Sequence, residues 1–158
     1  MAYAIRLATT ADIPAMVPVI NAAFSIERHI VADDRTSPTD LAEHFEEGQF
    51  LLVHDGNGTL AASVYLEPCG ERAYMGMLAV HPAYQGVGLA RLLTNAVEEC
   101  ARHAGCKYLD MYVLSVHAKL LSLYRRFGYT QTGARTPHPE WAHRLKVPCY
   151  LIQLSKLL

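Results

Sequence analysis

Tyr3, Ile5 and Leu7 alternate with smaller or polar residues, and this period of two predicts an opening strand. Thr9, Thr10 and Asp12 follow as helix-start chemistry, after which Ile13, Met16, Val17, Ile20 and Phe24 recur at helical spacing. Pro18 lies inside that pattern and is expected to kink or shorten the helix, because its ring removes a backbone donor. Residues 25–37 are polar and read as a connection. It ends in Ser37-Pro38-Thr39-Asp40, which supplies a cap, a first-turn proline and an acid three residues after the cap, so a second helix begins there.

Gln49–His54 reads as a buried strand, and Asp55-Gly56-Asn57-Gly58 is a turn that should fold the next strand back as a hairpin. That strand is expected over 59–67, with Leu60, Val64 and Leu66 on one face and Ser63, Tyr65 and Glu67 on the other. Pro68-Cys69-Gly70 turns the chain into a fourth strand over 73–80, which His81-Pro82 ends because proline cannot donate to a ladder. The longest helix is predicted over 88–104, its apolar stripe formed by Leu89, Leu92, Leu93, Ala96, Val97, Cys100 and Ala104, with Gly105 as the stop. Tyr108–Leu114 reads as a strand and 116–127 as a helix stopped by Gly128. A short strand over 129–132 and a closing strand over 147–154 complete the chain. The order βα(α)βββαβαββ predicts an α/β (α+β) architecture, a mixed sheet with helices on both faces, formed by residues 1–158 as one domain.

Composition narrows the function classes. The 158 residues suffice for one core, and 51% apolar with 18% charged residues describes a globular chain. A formal net charge of −1 gives no basic excess for nucleic acid. No apolar run is long enough to span a bilayer, and Met1-Ala2-Tyr3-Ala4-Ile5-Arg6 lacks the pattern of a signal peptide, so a cytoplasmic protein without membrane partners is expected. Cys69, Cys100, Cys106 and Cys149 form no Cys-x-x-Cys pair and read as buried thiols of a reducing compartment. His138 and His143 flank Trp141 without the cysteine or carboxylate pattern of a zinc site, so no metal is expected.

The most informative stretch is Leu78-Ala79-Val80-His81-Pro82-Ala83-Tyr84-Gln85-Gly86-Val87-Gly88-Leu89-Ala90, where a strand ends, a glycine turn follows and a long helix begins. First-turn N–H groups lack internal partners and carry the positive end of the helix dipole, which makes an anion site. Gly86 and Gly88 let backbone amides curve around a phosphate, and Ala90 is small enough for close approach. A Walker loop would need Gly-Lys-Ser/Thr, and a dinucleotide fingerprint a third glycine where Arg91 stands; neither is present.

These residues resemble the GNAT superfamily of N-acetyltransferases. Gln85, Gly88 and Ala90 match its Gln/Arg-x-x-Gly-x-Gly/Ala pyrophosphate motif. Leu78-Ala79-Val80-His81-Pro82 looks like its fourth strand, and Leu123-Tyr124-Arg125-Arg126-Phe127-Gly128-Tyr129 like its Leu-Tyr-x-x-x-Gly-Phe/Tyr helix end. The resemblance implies a mainly antiparallel sheet whose fourth and fifth strands splay into a cleft for acetyl-CoA. The pyrophosphate would lie on Gln85, Gly86, Val87, Gly88, Leu89 and Ala90, and the pantetheine along Leu78, Ala79 and Val80. His117 and Leu120 would flank the donor, in positions where the family often carries Asn and Ala.

The implied reaction is direct acetyl transfer from acetyl-CoA to a primary amine of a small molecule or peptide. Tyr124 would act as general acid toward the departing thiolate. Glu67 is the first candidate for general base; Asp110, on the face of Tyr108 and Tyr112, and a water chain are the alternatives. His81 and His117 flank the implied cleft and fit either proton shuttling or packing. The connection Gly133-Ala134-Arg135-Thr136-Pro137-His138-Pro139-Glu140-Trp141-Ala142-His143-Arg144 is long for a compact domain and, by the resemblance, lies on the acceptor side. His138 and Trp141 are expected to line the acceptor pocket, a tryptophan there fitting a homodimer interface equally well. A non-catalytic module that keeps acetyl-CoA as a regulatory ligand is the competing reading, and Tyr124 argues against it, since a pure binder needs no phenol there.

Overall fold

The computed structural model describes residues 2–137 and 142–158. In chain order the elements are β1 (Ala4–Leu7), α1 (Ile13–Phe24), α2 (Pro38–Glu47), β2 (Gln49–His54), β3 (Leu60–Cys69), β4 (Arg72–Val80), α3 (Leu89–His103), β5 (Tyr108–Leu114), α4 (Ala118–Arg126), β6 (Thr130–Arg135) and β7 (Leu151–Leu157). The seven strands form one sheet in the order β1-β2-β3-β4-β5-β7-β6. Every pair is antiparallel except β4–β5, which is parallel.

Local chemistry sets the helix starts. Thr9 N donates to Asp12 Oδ2 at 2.8 Å, half of the capping box legible in the sequence, and Arg6 holds the same carboxylate. Ser37 Oγ accepts from Asp40 N at 3.1 Å, with Pro38 in the first turn of α2. Pro18 does not break α1. It sits on the exposed side, where water can take the carbonyl it orphans, while Met16, Val19 and Ile20 are buried. Burying three large apolar side chains is worth roughly 1.5–3 kcal/mol each, against about 3 kcal/mol for the proline.

Helices cover both faces of the sheet. α3 and α4 pack on one, with Leu89, Leu93, Val97 and Tyr124 against Val64, Leu66, Met75, Leu109 and Met111. α1 and α2 pack on the other, with Met16, Ile20 and Leu41 against Phe50, Leu52, Tyr65 and Met77. The α3 stripe is rotated from the expected one: Leu92 is 37% exposed and Ala104 is exposed, while Thr94 and Glu98 are buried. Glu98 is tolerated inside because Lys156 Nζ (3.0 Å) and the Tyr129 hydroxyl (3.0 Å) both donate to it.

Three further differences have physical causes. Leu60 faces α1, opposite Val64 and Leu66, because a register shift at Val53/His54 places Ala61 and Ala62 in the same core and resets the alternation. β3 runs on through Pro68 to Cys69, since Pro68 pairs Ala73 and the turn tightens only at Gly70, where φ is +62°. The last strand begins at Leu151 instead of Val147; the residues before it instead follow the α1–α2 connection, where Val31 bridges Leu145 and Lys146 N donates to Ile30 O at 2.6 Å.

Candidate active site

β4 and β5 pair only at their starts, through Arg72–Tyr108, Ala73–Leu109 and Tyr74–Asp110. Beyond Tyr74 they diverge, and β5 stays with β7 through Leu114. The splay leaves the β5-facing edge of β4 without a partner strand from Met75 to Val80. A bulge lies on that edge. Tyr65 pairs Gly76 and Ser63 pairs Ala79, so Val64 opposes both Met77 and Leu78. Met77 takes a left-handed φ of +50°, a conformation costing roughly 1–3 kcal/mol in a residue with a Cβ. The bulge moves Leu78 and Val80 to the α3 face and Met77 and Ala79 to the α1 face.

At the same end of the splay, Gln85, Gly86, Val87 and Gly88 lead into α3. Gly86 (φ +81°) and Gly88 (φ +90°) are left-handed, and nothing lies within 4 Å of a Cβ built on either. Gly88 caps α3, Leu89 anchors the turn in the core, and Val87 is 57% exposed. The amides of residues 85–91 have no acceptor among the described residues. Neighbours hold the loop in place: Gln85 Nε2 donates to Val80 O at 3.2 Å, His81 Nδ1 accepts from Ala83 N at 3.1 Å, and the Tyr84 hydroxyl donates to Asp55 Oδ2 at 2.6 Å. That last bond is the main reason the Asp55 carboxyl lies below its usual range. The Gln85 side chain is thus tied to the end of β4, which leaves its backbone amide as the group facing the turn. Open space and unpaired amides at a helix N-terminus fit a pyrophosphate.

Tyr124 lies on the α3 face, 5% exposed, edge-on to Phe127 and Tyr129 at ring-centroid distances of 6.1 Å. Burial pushes its phenol well above the ordinary tyrosine range, and its hydroxyl has no hydrogen-bond partner among the described residues. It shares its core with Leu78 and Val80 of β4 and Met111 and Val113 of β5. His117 precedes α4 as its N-terminal cap, and Leu120 packs half-buried on the same core.

Glu67 lies on the opposite face, register partner of Tyr74, and accepts from the Tyr65 hydroxyl at 2.8 Å. The two candidate catalytic groups therefore approach the splay from opposite sides of the sheet. Asp110 is engaged elsewhere: Arg72 grips it through two bonds of 2.6 and 2.7 Å, and Ser155 Oγ donates to it. Arg72 is the chief cause of its depressed pKa, which makes it a poor base. His138 and Trp141 lie outside the described residues.

The sequence reading missed several residues around Glu67. The Tyr74 and Tyr112 rings face each other across the splay at 6.1 Å, and Tyr65 stands 6.3 Å from Tyr74. Arg135 stacks on Tyr112 at 4.0 Å and Arg35 on Phe24 at 5.3 Å. A glycine inside a strand pattern was the one available signal: Gly76 marks the close approach of Tyr74.

A mixed seven-stranded sheet, a splayed parallel pair and a phosphate-ready turn between them define an acyl-CoA-type acetyltransferase fold. The model of the Acetyltransferase (GNAT) family matches residues 15–129, and the chain belongs to that family. Mycothiol acetyltransferase of Beutenbergia cavernae is 35% identical over 96 residues, 60% of this chain; the match spans 32% of that relative's length. Among solved structures, the ribosomal-protein-S18-alanine N-acetyltransferase of Escherichia coli superposes with a TM-score of 0.78 at 21% identity, covering 99% of this chain and 94% of that one. The yncA protein of Salmonella typhimurium, solved with its cofactor acetyl-CoA, gives a TM-score of 0.75 at 22% identity, covering 100% and 95%. No helix among the described residues is long and apolar enough to cross a membrane.

Proposed function

We propose that this chain is a single catalytic domain that transfers an acetyl group from acetyl-CoA to a primary amine by direct attack within a ternary complex. The observation that carries the reading is the turn at Gly86 and Gly88, with open space and unpaired amides, beside the unpartnered edge of β4. The amides of residues 85–91 would hold the pyrophosphate. The β4 edge at Leu78, Ala79 and Val80 would pair with the pantetheine as an added strand would. His117 and Leu120 flank this side. Acetyl-CoA supplies an activated acyl group on a thiol leaving group.

The protein's own groups divide the proton work by face. Tyr124 stays protonated, because burial raises its phenol, and it can donate from the α3 side to the sulfur that departs. Glu67 and Tyr74 stand on the α1 side, where an amine would enter, and Glu67 is the carboxylate available to take its proton. The Leu78 amide, beside the bulge, would polarise the acyl carbonyl. A module that only binds acetyl-CoA would have no use for a buried phenol without a structural hydrogen bond, which favours the enzyme.

The test is release of free thiol from acetyl-CoA by the full chain with amino acids, polyamines, aminoglycosides and peptides, with product masses recorded. Acetylated product in any class, formed much more slowly by Tyr124→Phe, supports the transferase. Tight acetyl-CoA binding without product across all classes would establish the binding module instead.

A further inference from the structure

Arg35 and Arg135 come from distant parts of the chain, yet both belong to the wall of the acceptor face. A latch places the segment of Arg35, and the pairing of β6 with β7 places Arg135. Ala32 N donates to Arg144 O at 2.7 Å, Lys146 N donates to Ile30 O at 2.6 Å, and Arg144 Nη2 donates to Asp34 O at 2.5 Å. The latch holds the α1–α2 connection against the segment before β7. Arg35 then lies over Phe24 at the end of α1, and Arg135, at the end of β6, reaches across β7 to stack on Tyr112. Both guanidinium charges act on the Tyr74 phenol, opposing the effect of its burial.

Other arginines are already paired with carboxylates. Arg6 pairs with Asp12, Arg28 with Asp34 and Arg72 with Asp110. Among the described residues, Arg35 and Arg135 have no carboxylate partner and no hydrogen bond; Arg35 lies over Phe24, which packs in the same cluster as Tyr74, and lines a cavity with Asp33, Asp34 and Asp40, while Arg135 lies over Tyr112, whose ring stands 6.1 Å from that of Tyr74. Glu67 is the carboxylate on the opposite side of Tyr74. The Tyr74 phenol thus feels one carboxylate, Glu67, and the two guanidiniums of Arg35 and Arg135.

We infer that the acceptor is a small amine that also carries a carboxylate, with its amine at Glu67 and Tyr74 and its carboxylate held by Arg35 and Arg135. The inference rests on the transferase reading of the same site. A fork of two guanidiniums suits a carboxylate, whereas a polyamine or an aminoglycoside would meet two uncompensated positive charges.

The experiment pairs each free amino acid with its α-amide, which keeps the amine and side chain but removes the acidic charge. Binding is followed by calorimetry on the CoA-loaded full chain, and turnover by thiol release. The acid form should bind and turn over at least roughly 10-fold better than the amide. Arg35→Gln and Arg135→Gln should each raise the KM for the acid roughly 10- to 100-fold, with the amide's KM and the affinity for CoA unchanged. Arg135→Lys should recover part of the loss, since it restores charge without the fork. Equal use of acid and amide, or an arginine substitution that weakens both alike, would overturn the inference. So would failure of every acid to bind the CoA-loaded chain. Acids that bind through the two arginines without being acetylated would leave the inference standing and overturn the transferase reading.

Discussion

Tyr74 lies back along its own strand over Gly76: a Cβ built on Gly76 would stand 2.5 Å from the phenol oxygen and 2.8 Å from the ring carbon that bears it. The absence of a side chain at Gly76 is what lets the ring lie flat beside the Met77 bulge, with its hydroxyl at the unpaired stretch of β4. Glu67, Tyr74 and Tyr112 lie on the side of the splay proposed for the acceptor, so one glycine sets how the Tyr74 ring lies there.

Gly76→Ala should therefore destabilise the fold by about 1–3 kcal/mol through overpacking and should raise the acceptor KM, with acetyl-CoA affinity retained. Denaturant midpoints in a double-mutant cycle with Tyr74→Ala check the cause. Once the ring is gone, the alanine should cost at least about 0.5 kcal/mol less. Additive effects would mean that Gly76 serves the bulge and not Tyr74.

The order of elements was legible because it is written in short-range chemistry. The cap at Ser37, the turn at Asp55-Gly56-Asn57-Gly58 and the stops at Gly105 and Gly128 each act within a few residues. The glycine turn before α3 was legible for the same reason, since Gly86 and Gly88 take left-handed conformations inside a contiguous motif. What could not be read depends on distant partners. Glu98 is a surface residue by pattern and becomes a core residue only because Lys156, fifty-eight positions later, reaches it. Leu60 changed faces through a register shift that alternation cannot foresee. Arg35 is carried by a connection that the latch between the 30–32 and 144–146 backbones holds in place, which no local signal encodes.

At Gly88, a neutral control separates strain from charge. Asparagine tolerates a left-handed backbone, so Gly88→Asn should keep most of the acetyl-CoA affinity, there being open space for its Cβ. Gly88→Asp has nearly the same shape and adds a negative charge where the pyrophosphate would lie. Its affinity should fall at least roughly 100-fold below that of the asparagine variant, by an uncompensated repulsion at a helix N-terminus. Equal affinities in two folded variants, measured by calorimetry, would remove this loop from the donor site.

Tyr124→Phe should slow the chemical step by roughly 10²- to 10⁴-fold with donor affinity unchanged. Stability near neutral pH should hold, because the hydroxyl makes no hydrogen bond among the described residues. The alkaline range gives an independent check. Burial raises the folded-state phenol above its ordinary pKa of about 10, so its contribution to stability is fully present below pH 10 and is lost as pH rises beyond it. Each such group steepens the loss by about 1.4 kcal/mol per pH unit until its folded-state pKa is reached. Denaturation midpoints between pH 9 and roughly pH 11 should therefore fall less steeply in Tyr124→Phe than in the parent chain. Matching slopes would mean that the phenol is not sheltered from ionisation.

Glu67→Gln isolates the carboxylate's basicity from its architecture. The side chain accepts the Tyr65 hydroxyl through Oε1, and a glutamine oxygen can accept the same bond, so Tyr65 and the fold should stay in place. What disappears is the site that takes a proton from the incoming ammonium. Without it, attack must wait for amine that has already lost its proton to bulk water, so the rate should fall most at low pH. The acidic limb of kcat/KM in the parent chain should then be replaced by a rise that tracks the acceptor's own ionisation. Two acceptors of different amine pKa distinguish the cases: in Glu67→Gln the limb should move with the acceptor, and in the parent chain it should move less. Asp110 is no substitute, because its pKa is held low by Arg72 and Ser155. An unchanged profile in a folded Glu67→Gln variant would assign the proton to a water chain and leave Glu67 as the partner of Tyr65 alone.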